Sequence, residues 1–583
     1  MVTINWKSAP HRRTSCPVCG RDGGQERFLE ITVDHHLRSM LATDVIALLR
    51  CPSCDARYCD PLRSVDYETA DAEGLKYYLE QGAGIDVMLE PLSLVDGRPI
   101  ERYLEIGCSF GFAMDYASRM LGWRVRGFDP GYIAATGREL LDLPIDNGYF
   151  EAASVREGEA DLVLCSEVIE HIIDPNNFIL LLRRALGENG LLLLTTPNGE
   201  AVSPSTPPEV ILPILSPGHH VILYSPRSIE ILLRRNGFDH VRVVDRGNQL
   251  HIVASVVPIS DTSSWFTREL YRRYLEMSLA TRGTDTSLGA GYAYRLLKEH
   301  VNAGRYGEGA DVLRRLRDGY RQRYNLDIER IDAVAFPAAD TAFKEFGQRW
   351  PFNLCGVWYF FGLIRLLDQG RPELAAPAFG AALRFGLALR CVLNAIGTDD
   401  LEIADLCREA EVARLAALAR YDPSQALAAF EQLAGNPGRL DPVTLEAHLR
   451  RARSRLFIDL VNLRHYLMAE VVVPPHELLA GEPITSDNLA AAFAYGVYLL
   501  NHKSEFSAAG AVFGQVWEAA HASATGHALM WPARFHQALA SWYKGDREAA
   551  KLIAEEMSAP PPDLPPVPGE YRQRLSELVT PPP

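Results

Sequence analysis

The stretch YLEIGCSFG, residues 103–111, decides the fold of this chain of 583 residues. An acid is followed by Gly, Ser and Gly at alternate positions, between an apolar strand and a helix predicted over 112–121. A second strand, predicted over 123–128, leads to Asp129, which lies 22 positions after Gly107. This order of strand, glycine turn, helix, strand and acid is typical of half a nucleoside-binding βαβ unit, in which the carboxylate accepts the ribose hydroxyls.

The spacing inside this turn bears on the kind of nucleotide it suits. A dinucleotide site has G-x-G-x-x-G beneath a pyrophosphate, whereas residues 105–111 read E-x-G-x-S-x-G with no third glycine at the required place. The turn resembles the first motif of class I S-adenosylmethionine-dependent methyltransferases, (D/E)-x-G-x-G-x-G, with Ser109 in place of the middle glycine. For this motif alone, an ordinary α/β turn without a ligand is the alternative.

Later segments follow the order expected of the same family. DLVLCS (161–166) is an acid-headed apolar run, typical of a buried parallel strand, and it leads into EVIEHIIDP (167–175). GLLLLTTPN (190–198) is another buried strand that ends in a turn, and GHHVILYS (218–225) precedes an amphipathic helix. The resemblance to class I methyltransferases covers roughly residues 60–257 and implies a Rossmann-like α/β fold with a seven-stranded sheet.

The end of this region predicts an antiparallel hairpin. Residues 240–245 form an alternating strand, residues 250–257 form the next strand, and Arg246-Gly247-Asn248 forms the turn between them. The resemblance implies the same feature, because one strand of the methyltransferase sheet runs against the others. We therefore expect this hairpin to complete the sheet.

Composition limits the classes of protein to consider. The length predicts roughly two to four domains, and a hydrophobic content of 47% with 23% charged residues is ordinary for a globular protein. A net charge of −15 argues against nucleic acid as a partner, since phosphate binding needs a basic surface. No run reaches the roughly 18 apolar residues of a membrane span, and residues 1–13 lack an apolar signal core. We therefore expect a cytoplasmic protein without a membrane span.

Four of the ten cysteines form two C-P-x-C knuckles. Cys16 and Cys19 make the first knuckle, Cys51 and Cys54 make the second, and 31 residues separate them. Each knuckle places two thiolates on one side of a tight turn, so the pattern predicts a closed, structural zinc ribbon. A pair of disulfides and an open catalytic site are the alternatives, and Cys59 does not fit the knuckle spacing.

A zinc ribbon directly followed by a methyltransferase region resembles bacterial enzymes of glycan and sugar-nucleotide biosynthesis. Tyr58 and Asp60-Pro61-Leu62 match the exit of the ribbon in that group. The resemblance implies a sugar or glycan acceptor that is methylated on oxygen or on carbon. The ribbon would either form a wall beside the acceptor pocket or serve stability alone, and both roles stay open at this point.

The resemblance also implies which residues bind S-adenosylmethionine. The turn residues would shape the amino-acid end of the pocket, Asp129 would hold the ribose, and residues at neighbouring strand ends would contact the adenine, the methionine part or the acceptor. In chain order the predicted cofactor-binding residues are Glu105, Gly107, Ser109, Gly111, Phe128, Asp129, Phe150, Ser166 and Glu167.

Removing a proton from an acceptor hydroxyl requires a base, and histidines are the candidates. His219 and His220 follow a proline-rich stretch that we predict to be a lid-like insertion, and His171 follows Glu170 in an E-H pair. Each candidate has a structural alternative. The pair Glu170-His171 can cap and orient its own loop, and a surface-loop histidine can bond to its own turn.

After Pro258 the sequence is rich in Ala, Leu, Arg and Glu at helical spacing. Segments such as KGDREAA (544–550) resemble the turn of tetratricopeptide-like hairpins, at irregular intervals. The aromatic run WYFF (358–361) is predicted to be core. The predicted domains are a zinc ribbon (1–64), a methyltransferase domain (65–258), an all-α repeat-like domain (259–557) and an extended Pro-rich tail (558–583).

Three functions are compatible with these patterns. The first is an enzyme that methylates a sugar or glycan, with the helical half recruiting a protein partner. The second is a methyltransferase for protein or RNA, with the helical half holding the macromolecule. The third is a scaffold with a degenerate methyltransferase domain, which the intact glycines, Asp129 and Glu170-His171 disfavour.

Overall fold

The computed structural model describes residues 3–10, 15–32, 45–63, 72–206, 208–261, 265–338, 340–435, 442–472, 483–522, 527–561 and 564–579. These residues divide into two compact units. The first unit comprises Met1–Asn302, Arg314–Asn325 and Phe343–Asn353. The second comprises Ala303–Leu313, Leu326–Ala342 and Leu354–Pro583.

All strands of the described chain lie in the first unit. They are β1 (Thr3–Pro10), β2 (Glu26–Thr32), β3 (Val45–Arg50), β4 (Arg57–Asp60), β5 (Arg102–Ile106), β6 (Arg124–Phe128), β7 (Ile145–Asp146), β8 (Ala160–Ser166), β9 (Leu186–Pro197), β10 (Ile222–Leu223), β11 (His240–Asp245) and β12 (Gln249–Ser255).

The helices follow the order of the chain. They are α1 (Ala72–Gln81), α2 (Ala83–Leu89), α3 (Phe112–Leu121), α4 (Tyr132–Leu141), α5 (Pro175–Ala185), α6 (Pro208–Leu215), α7 (Pro226–Arg235), α8 (Arg268–Arg282), α9 (Ser287–Asn302), α10 (Tyr306–Tyr324), α11 (Phe343–Arg349), α12 (Leu354–Leu363), α13 (Pro372–Ala395), α14 (Leu401–Tyr421), α15 (Pro423–Gly435), α16 (Pro442–Asn462), α17 (Tyr466–Val472), α18 (Leu489–Tyr498), α19 (Phe506–His521), α20 (Met530–Lys544), α21 (Arg547–Ser558) and α22 (Gly569–Val579).

A mixed seven-stranded sheet forms the centre of the first unit, as the sequence predicted. Its order is β11-β12-β9-β8-β5-β6-β7. Strands β9, β8, β5, β6 and β7 run parallel, and β12 runs against β9 and β11. Residues 162–165 of β8 are fully buried, which explains their continuous apolar run. The carboxyl ends of the parallel strands share one edge of the sheet, where the predicted site residues lie.

A second sheet joins the cysteine-rich segment to the methyltransferase-like region. Strands β1 to β4 pair antiparallel in chain order, and β10 adds to β4 through the pairs Ile222↔Tyr58 and Leu223↔Arg57. Cys16, Cys51 and Cys54 lie in one apolar core with residues of the seven-stranded sheet and of α7. The cysteine-rich segment is thus packed directly against the domain that follows it.

Helices beyond Pro258 also pack within the first unit and anchor α1. The fully buried carboxylate of Glu80 accepts hydrogen bonds from the Tyr324 hydroxyl at 2.6 Å, Arg323 Nη2 at 2.7 Å and the Phe352 amide at 2.9 Å. Arg295, only 2% exposed, reaches Asp86 of α2 at 2.9 Å. Charged hydrogen bonds of this kind are strong when desolvated, so they fix α1 and α2 in place.

The domain limits at 64, 258 and 557 stay predictions.

The regular secondary-structure elements of the second unit are all helices among its described residues, as expected from its composition. Trp358, Phe360 and Phe361 of α12 are at most 5% exposed, which confirms that the aromatic run is core. Helices α12, α13 and α14 approach closely at Gly386, where an added Cβ would lie 2.5 Å from Cys407 Sγ. Small residues therefore permit tight helix pairing here, while a tetratricopeptide-like repeat stays a prediction.

One described helix has the length and apolar composition that could cross a membrane. It is Pro372–Ala395, and more than half of its most apolar window is buried inside the structure. A buried core helix meets the same criteria, so a single helix of this kind is weak evidence for a span. The expected absence of a membrane span stays a prediction.

The C-terminal region departs from the predicted extended tail. Residues Gly569–Val579 form α22, and Leu575 is 2% exposed. The ring of Tyr571 lies 5.1 Å from that of Phe535. Tyr571 and Leu575 are four positions apart on one helical face, so the burial of Leu575 and the contact of Tyr571 with α20 offset the weak helical signal of a proline-rich segment. Residues 580–583 lie outside the described chain.

Candidate cofactor and acceptor site

The glycine turn after β5 adopts the backbone conformation that its residue types suggest. Gly107, Ser109 and Gly111 have φ angles of 72°, 47° and 87°, and Gly111 is the residue before α3. Alternate left-handed residues fold the chain sharply, and a small side chain is required at each of them. Helix α3 then begins at Phe112, as predicted.

Gly107 allows this turn to contact the loop that follows β8. A Cβ added at Gly107 would lie 2.2 Å from Cγ2 of Val168. The two loops can therefore approach this closely only because Gly107 has no side chain. The contact brings the turn beside the predicted site residues Glu167 and Glu170. The sequence placed these segments at one sheet edge without showing that they touch.

We expect Gly107→Ala to lower the free energy of unfolding by about 2–4 kcal/mol, because overpacking adds to the strain of a positive φ. Thermal and urea unfolding would measure the loss. Gly148→Ala is the matched control, since an added Cβ there meets no heavy atom within 4 Å and its φ is not in the left-handed region. Equal stability of the two variants would contradict the close contact.

Asp129 is held firmly at the end of β6. Its Oδ2 accepts from the Ser109 amide at 2.9 Å, and its Oδ1 accepts from the Gly131 amide at 2.7 Å. The Asn147 side chain donates to the Asp129 carbonyl at 2.9 Å. Burial raises the pKa of the Asp129 carboxyl, while the two backbone amides favour the ionised form. The carboxylate is therefore oriented before any ligand arrives.

Glu105 is fully buried one strand away. The Tyr103 hydroxyl donates to its Oε2 at 2.9 Å, whereas its Oε1 has no hydrogen-bond partner among the described residues. Burial raises the pKa of this carboxyl to about 8, and the nearby Asp129 adds to the rise. A buried acceptor without a partner is costly, so Oε1 is a position where a ligand donor would add stability.

Tyr78 of α1 was not among the predicted site residues. Its hydroxyl is hydrogen-bonded to the Ser109 side chain, and burial raises its pKa to about 12. Its ring lies 6.0 Å from that of Phe112. An added Cβ at Gly84 would lie 1.9 Å from the Tyr78 hydroxyl oxygen, so Gly84 makes room for it. A lone tyrosine some thirty positions before the turn gives no pattern that sequence reasoning could use.

Ser166 and Glu167 meet polar partners at the end of β8. The Ser166 hydroxyl lies 2.7 Å from that of Thr195, which donates to Glu167 Oε1 at 2.9 Å. Gln249 donates to the same carboxylate oxygen at 2.8 Å. Glu167 has a φ of 55°, a strained value for a residue other than glycine, and burial raises its pKa. Thr195 and Gln249 are further residues of this edge that the sequence did not single out.

Phe128 and Phe150 contact each other. Their ring centroids are 5.1 Å apart in an edge-to-face arrangement, and both rings are at most 8% exposed. The Arg126 guanidinium lies 4.4 Å from the Phe128 ring centroid. The pair belongs to the core beside Asp129, and contact with an adenine ring stays a prediction.

Glu170, His171 and His220 come together although 49 positions separate the two histidines. Glu170 and His171 lie in the turn Ile169–His171, and the Val221 amide donates to the Glu170 carbonyl at 2.8 Å. His171 Nε2 and His220 Nε2 lie 3.9 Å and 4.0 Å from Glu170 Oε1. His219 contributes its carbonyl, 3.0 Å from His171 Nδ1, and its ring is not part of this cluster.

Cys16, Cys19, Cys51 and Cys54 form a compact group whose sulfur atoms all lie within 4.8 Å of one another. The Cys16–Cys54 and Cys19–Cys51 sulfur distances are both 3.7 Å. A disulfide needs about 2.05 Å, whereas a tetrahedral zinc site with Zn–S bonds of about 2.3 Å places its sulfurs roughly 3.8 Å apart. The arrangement therefore fits zinc and does not fit disulfides.

The two knuckles have matching backbones. The amide of Gly20 donates to the Cys16 carbonyl, and that of Asp55 donates to the Cys51 carbonyl, both at 2.9 Å. Gly20 and Asp55 have φ angles of 72° and 65°. The same tight turn thus presents each pair of thiols, and Arg50 bonds to the Asp55 carboxylate beside the second one.

Comparison with known proteins identifies the central domain. Residues 70–243 match the family model described as a methyltransferase domain. A ubiquinone biosynthesis O-methyltransferase of Rhizobium etli is 35% identical over 109 residues, 17% of this chain and 44% of the relative. A ubiquinone biosynthesis O-methyltransferase of Rhizobium rhizogenes is 32% identical over 155 residues, 24% of this chain and 62% of the relative. The chain thus spans about half the length of the curated relatives it matches.

Solved structures of similar fold cover about a third of the chain. A putative O-methyltransferase of Nostoc punctiforme is 19% identical, with a TM-score of 0.27 over 31% of this chain and 59% of that one. An S-adenosylmethionine-dependent methyltransferase of Aquifex aeolicus is 20% identical, with a TM-score of 0.25 over 32% of this chain and all of that one. From the family match, the chain contains an S-adenosylmethionine-dependent methyltransferase domain.

Proposed function

We propose that this chain transfers a methyl group from S-adenosylmethionine to a hydroxyl oxygen of a small-molecule or glycan acceptor. The observation that carries the proposal is the pair of acids beside the glycine turn. Asp129 is fixed by two backbone amides, and Glu105 offers an oxygen that has no partner among the described residues. These carboxyls suit the ribose hydroxyls and the ammonium group of the cofactor, respectively.

The reaction needs little more than alignment. The acceptor oxygen attacks the methyl carbon in line, the carbon–sulfur bond breaks, and its electron pair stays on sulfur to give S-adenosylhomocysteine. Holding the two reactants in contact supplies much of the rate. The hydroxyl proton leaves to a base. Glu170 and His171 follow Val168, which contacts Gly107, on the same loop, and His220 lies beside them.

We infer a sugar or glycan hydroxyl as the acceptor, on the ground that the paired cysteine knuckles precede a methyltransferase domain. A hydroxyl of a ubiquinone precursor is the second candidate, because both curated relatives carry that function in their names. The two matches cover 17% and 24% of this chain. Neither match therefore includes the cysteine-rich segment and the helical unit as well as the methyltransferase domain.

Methyl-labelled S-adenosylmethionine would separate the two acceptors. The purified chain is incubated with an extract of its own cells, which is then split into glycan, sugar-nucleotide, quinone-lipid, protein and RNA fractions. Label in a sugar fraction supports the first proposal, and label in the quinone lipids supports the second. Label only in protein or RNA, or label that persists with Asp129→Ala, would overturn both.

Cofactor binding should depend on pH through Glu105. Burial holds its pKa at about 8, so the ligand-free carboxyl is protonated at neutral pH. A cationic cofactor requires the ionised form, so binding below pH 8 releases a proton and affinity rises with pH by up to about tenfold per unit. The number of protons released on binding is measured by calorimetry in buffers of different ionisation enthalpy.

Glu105→Gln is the control for this pH dependence, because it keeps the shape and removes the titrating group. Its cofactor affinity should be weaker and nearly independent of pH between about 6 and 8. Proton release of equal size in the wild type and in Glu105→Gln would assign the effect to another group, such as Asp129, and would contradict this role of Glu105.

We propose that the four clustered cysteines bind a structural zinc ion. Support comes from sulfur–sulfur distances of 3.7 Å and from the matching knuckle turns. Three of the four thiols are at most 2% exposed and Cys19 is half-buried, so the group is largely closed to solvent, as a structural site requires. We further propose that the helical unit recruits a protein partner and that the chain acts in the cytoplasm.

A further inference from the structure

A groove of the helical unit lies between α13 and α14 and has a volume of about 470 Å³. Small-molecule sites in proteins have volumes in this range and combine apolar walls with a few polar groups. Leu383, Leu387 and Leu418 contribute apolar walls here, and Arg384 and Arg414 are the charged residues of the lining. No carboxylate lines this α13–α14 groove among the described residues. Its lining is therefore both apolar and cationic.

The outer side of α13 is more apolar than the outer face of a surface helix usually is. Between Glu373 and Arg390 the single charged residue of α13 is Arg384. Leu383 and Leu387 remain half-buried on the groove side of the helix. Because surface helices carry mainly charged and polar residues away from the core, these leucines fit a ligand that has an apolar part.

The two guanidinium groups lack anionic partners. Neither Arg384 nor Arg414 makes a hydrogen bond or an ion pair with a described residue. The Arg384 guanidinium lies 4.1 Å from the ring centroid of Phe336, and this contact orients it while its N–H groups can still donate at their edge. Arg414 is half-buried, so part of its hydration is already lost. Guanidinium groups in such a setting attract an anion.

The acids nearest to the groove are bound elsewhere. Glu373 accepts from Arg371 Nε at 2.9 Å. Asp422 accepts from the Gln425 amide at 3.0 Å, at the beginning of α15. Neither carboxylate makes a hydrogen bond or an ion pair with Arg384 or Arg414. The positive charge of the groove is thus left for a ligand.

Gly380 keeps the space beside Arg414 open. A Cβ added at Gly380 would lie 3.7 Å from Arg414 Nε, at ordinary van der Waals contact, so any side chain longer than alanine would occupy the groove. Gly380 and Arg384 are four positions apart on α13 and lie on the same face of the helix. The two arginine side chains therefore line neighbouring turns of one groove.

We propose that the α13–α14 groove binds a small amphiphilic anion, in which an apolar chain ends in a phosphate or a carboxylate group. Arg384 and Arg414 pair with the anionic oxygens, and the leucines of the groove remove the chain from water. Both head groups match the planar fork of a guanidinium, so they represent one ligand chemistry. This binding is independent of the proposed methyl transfer.

Hexyl phosphate is the probe for this site, and calorimetry on the full chain measures its affinity. Hexanoate carries the other head group, hexanol lacks the charge, and inorganic phosphate lacks the chain. We expect hexyl phosphate or hexanoate to bind at least about tenfold more tightly than hexanol and inorganic phosphate, because only the anions with a chain use both features of the groove. The tighter of the two anions identifies the head group.

Three variants locate the binding. Arg384→Met and Arg414→Met keep an apolar stem and remove the charge, so each should weaken binding of the tighter anion by about tenfold or more. Gly380→Leu should also weaken binding, because its side chain fills the space beside Arg414, while leucine suits a helix better than glycine. Arg420→Met is the matched control, since Arg420 is an exposed residue of α14 outside the groove, and it should bind like the wild type.

Circular dichroism and thermal unfolding verify that each variant is folded. The proposal is overturned if the wild type binds neither hexyl phosphate nor hexanoate, or if hexanol or inorganic phosphate binds as tightly as they do. It is also overturned if folded Arg384→Met and Arg414→Met both keep the wild-type affinity. Loss of methyl transfer with intact anion binding would count only against the proposed function.

Discussion

Replacement of Asp129 by Ala is expected to abolish measurable binding of S-adenosylmethionine while the chain stays folded. The carboxylate is held by the amides of Ser109 and Gly131 at 2.9 Å and 2.7 Å, in the position where the ribose hydroxyls would arrive. Two hydrogen bonds to a charged acceptor contribute about 1.5–3 kcal/mol each. Their loss corresponds to a weakening of more than about 100-fold, which calorimetry or equilibrium dialysis would detect.

Asp146→Ala is the matched control for this experiment. Asp146 also ends a strand of the same sheet, but its carboxylate is half exposed and, among the described residues, accepts from Arg126 alone, at 3.0 Å from Nε. Surface ion pairs of this kind contribute about 0–1 kcal/mol, so cofactor affinity should change little. An unchanged affinity in Asp129→Ala, or an equal loss in Asp146→Ala, would remove the assignment of the ribose site.

If the four cysteines bind zinc as proposed, replacement of Cys51 by Ser is expected to release the ion and unfold the cysteine-rich segment. A structural zinc site contributes apparent binding energies of about 10–16 kcal/mol to folding, and one missing thiolate removes a large part of this. Cys51 is fully buried in a core that also contains residues of the seven-stranded sheet. The melting temperature of the first unit should therefore fall, and chelator-resistant zinc should drop from about one ion per chain to nearly none.

Cys59→Ser provides the comparison, because Cys59 is a buried thiol of the same segment outside the four-cysteine group. Its sulfur lies 3.3 Å from the His220 carbonyl, to which a serine hydroxyl can also donate. Zinc content should stay at about one ion per chain. Reconstitution with Co²⁺ adds a specific readout, since only the four-cysteine site gives a cobalt–thiolate band. A full band in Cys51→Ser would exclude the predicted ligand set.

Much of the methyltransferase region could be predicted because its determinants are local in sequence. The glycine turn requires left-handed residues at Gly107 and Gly111, and helix α3 begins where the turn ends. The fully buried run of β8 reads as a parallel strand because both of its faces are covered. Strand β9 begins at Leu186, earlier than predicted, because Gly187, Glu188 and Asn189 interrupt the apolar pattern.

The helical unit was predictable in class and less so in detail. Helical periodicity and small residues indicated packed helices, and Gly386 shows the close approach that such residues allow. The helix at Gly569–Val579 was missed, because it gains its stability from the burial of Leu575 and from the contact of Tyr571 with Phe535, and not from local propensity. Tertiary burial decided that segment.

The sequence by itself determined the class of the central domain, its glycine turn, the acid at the end of β6 and the four-cysteine pattern, since each depends on backbone conformation or on short spacing. The tertiary structure alone brought Tyr78 to Ser109 and His220 to Glu170 and His171. Tyr78 and Ser109 are 31 positions apart, and their contact depends on the anchoring of α1 by Glu80. His220 lies roughly 50 positions after Glu170 and His171, and that contact depends on the pairing of β10 with β4. Contacts between distant segments follow from the shared burial of whole elements, which no local pattern encodes.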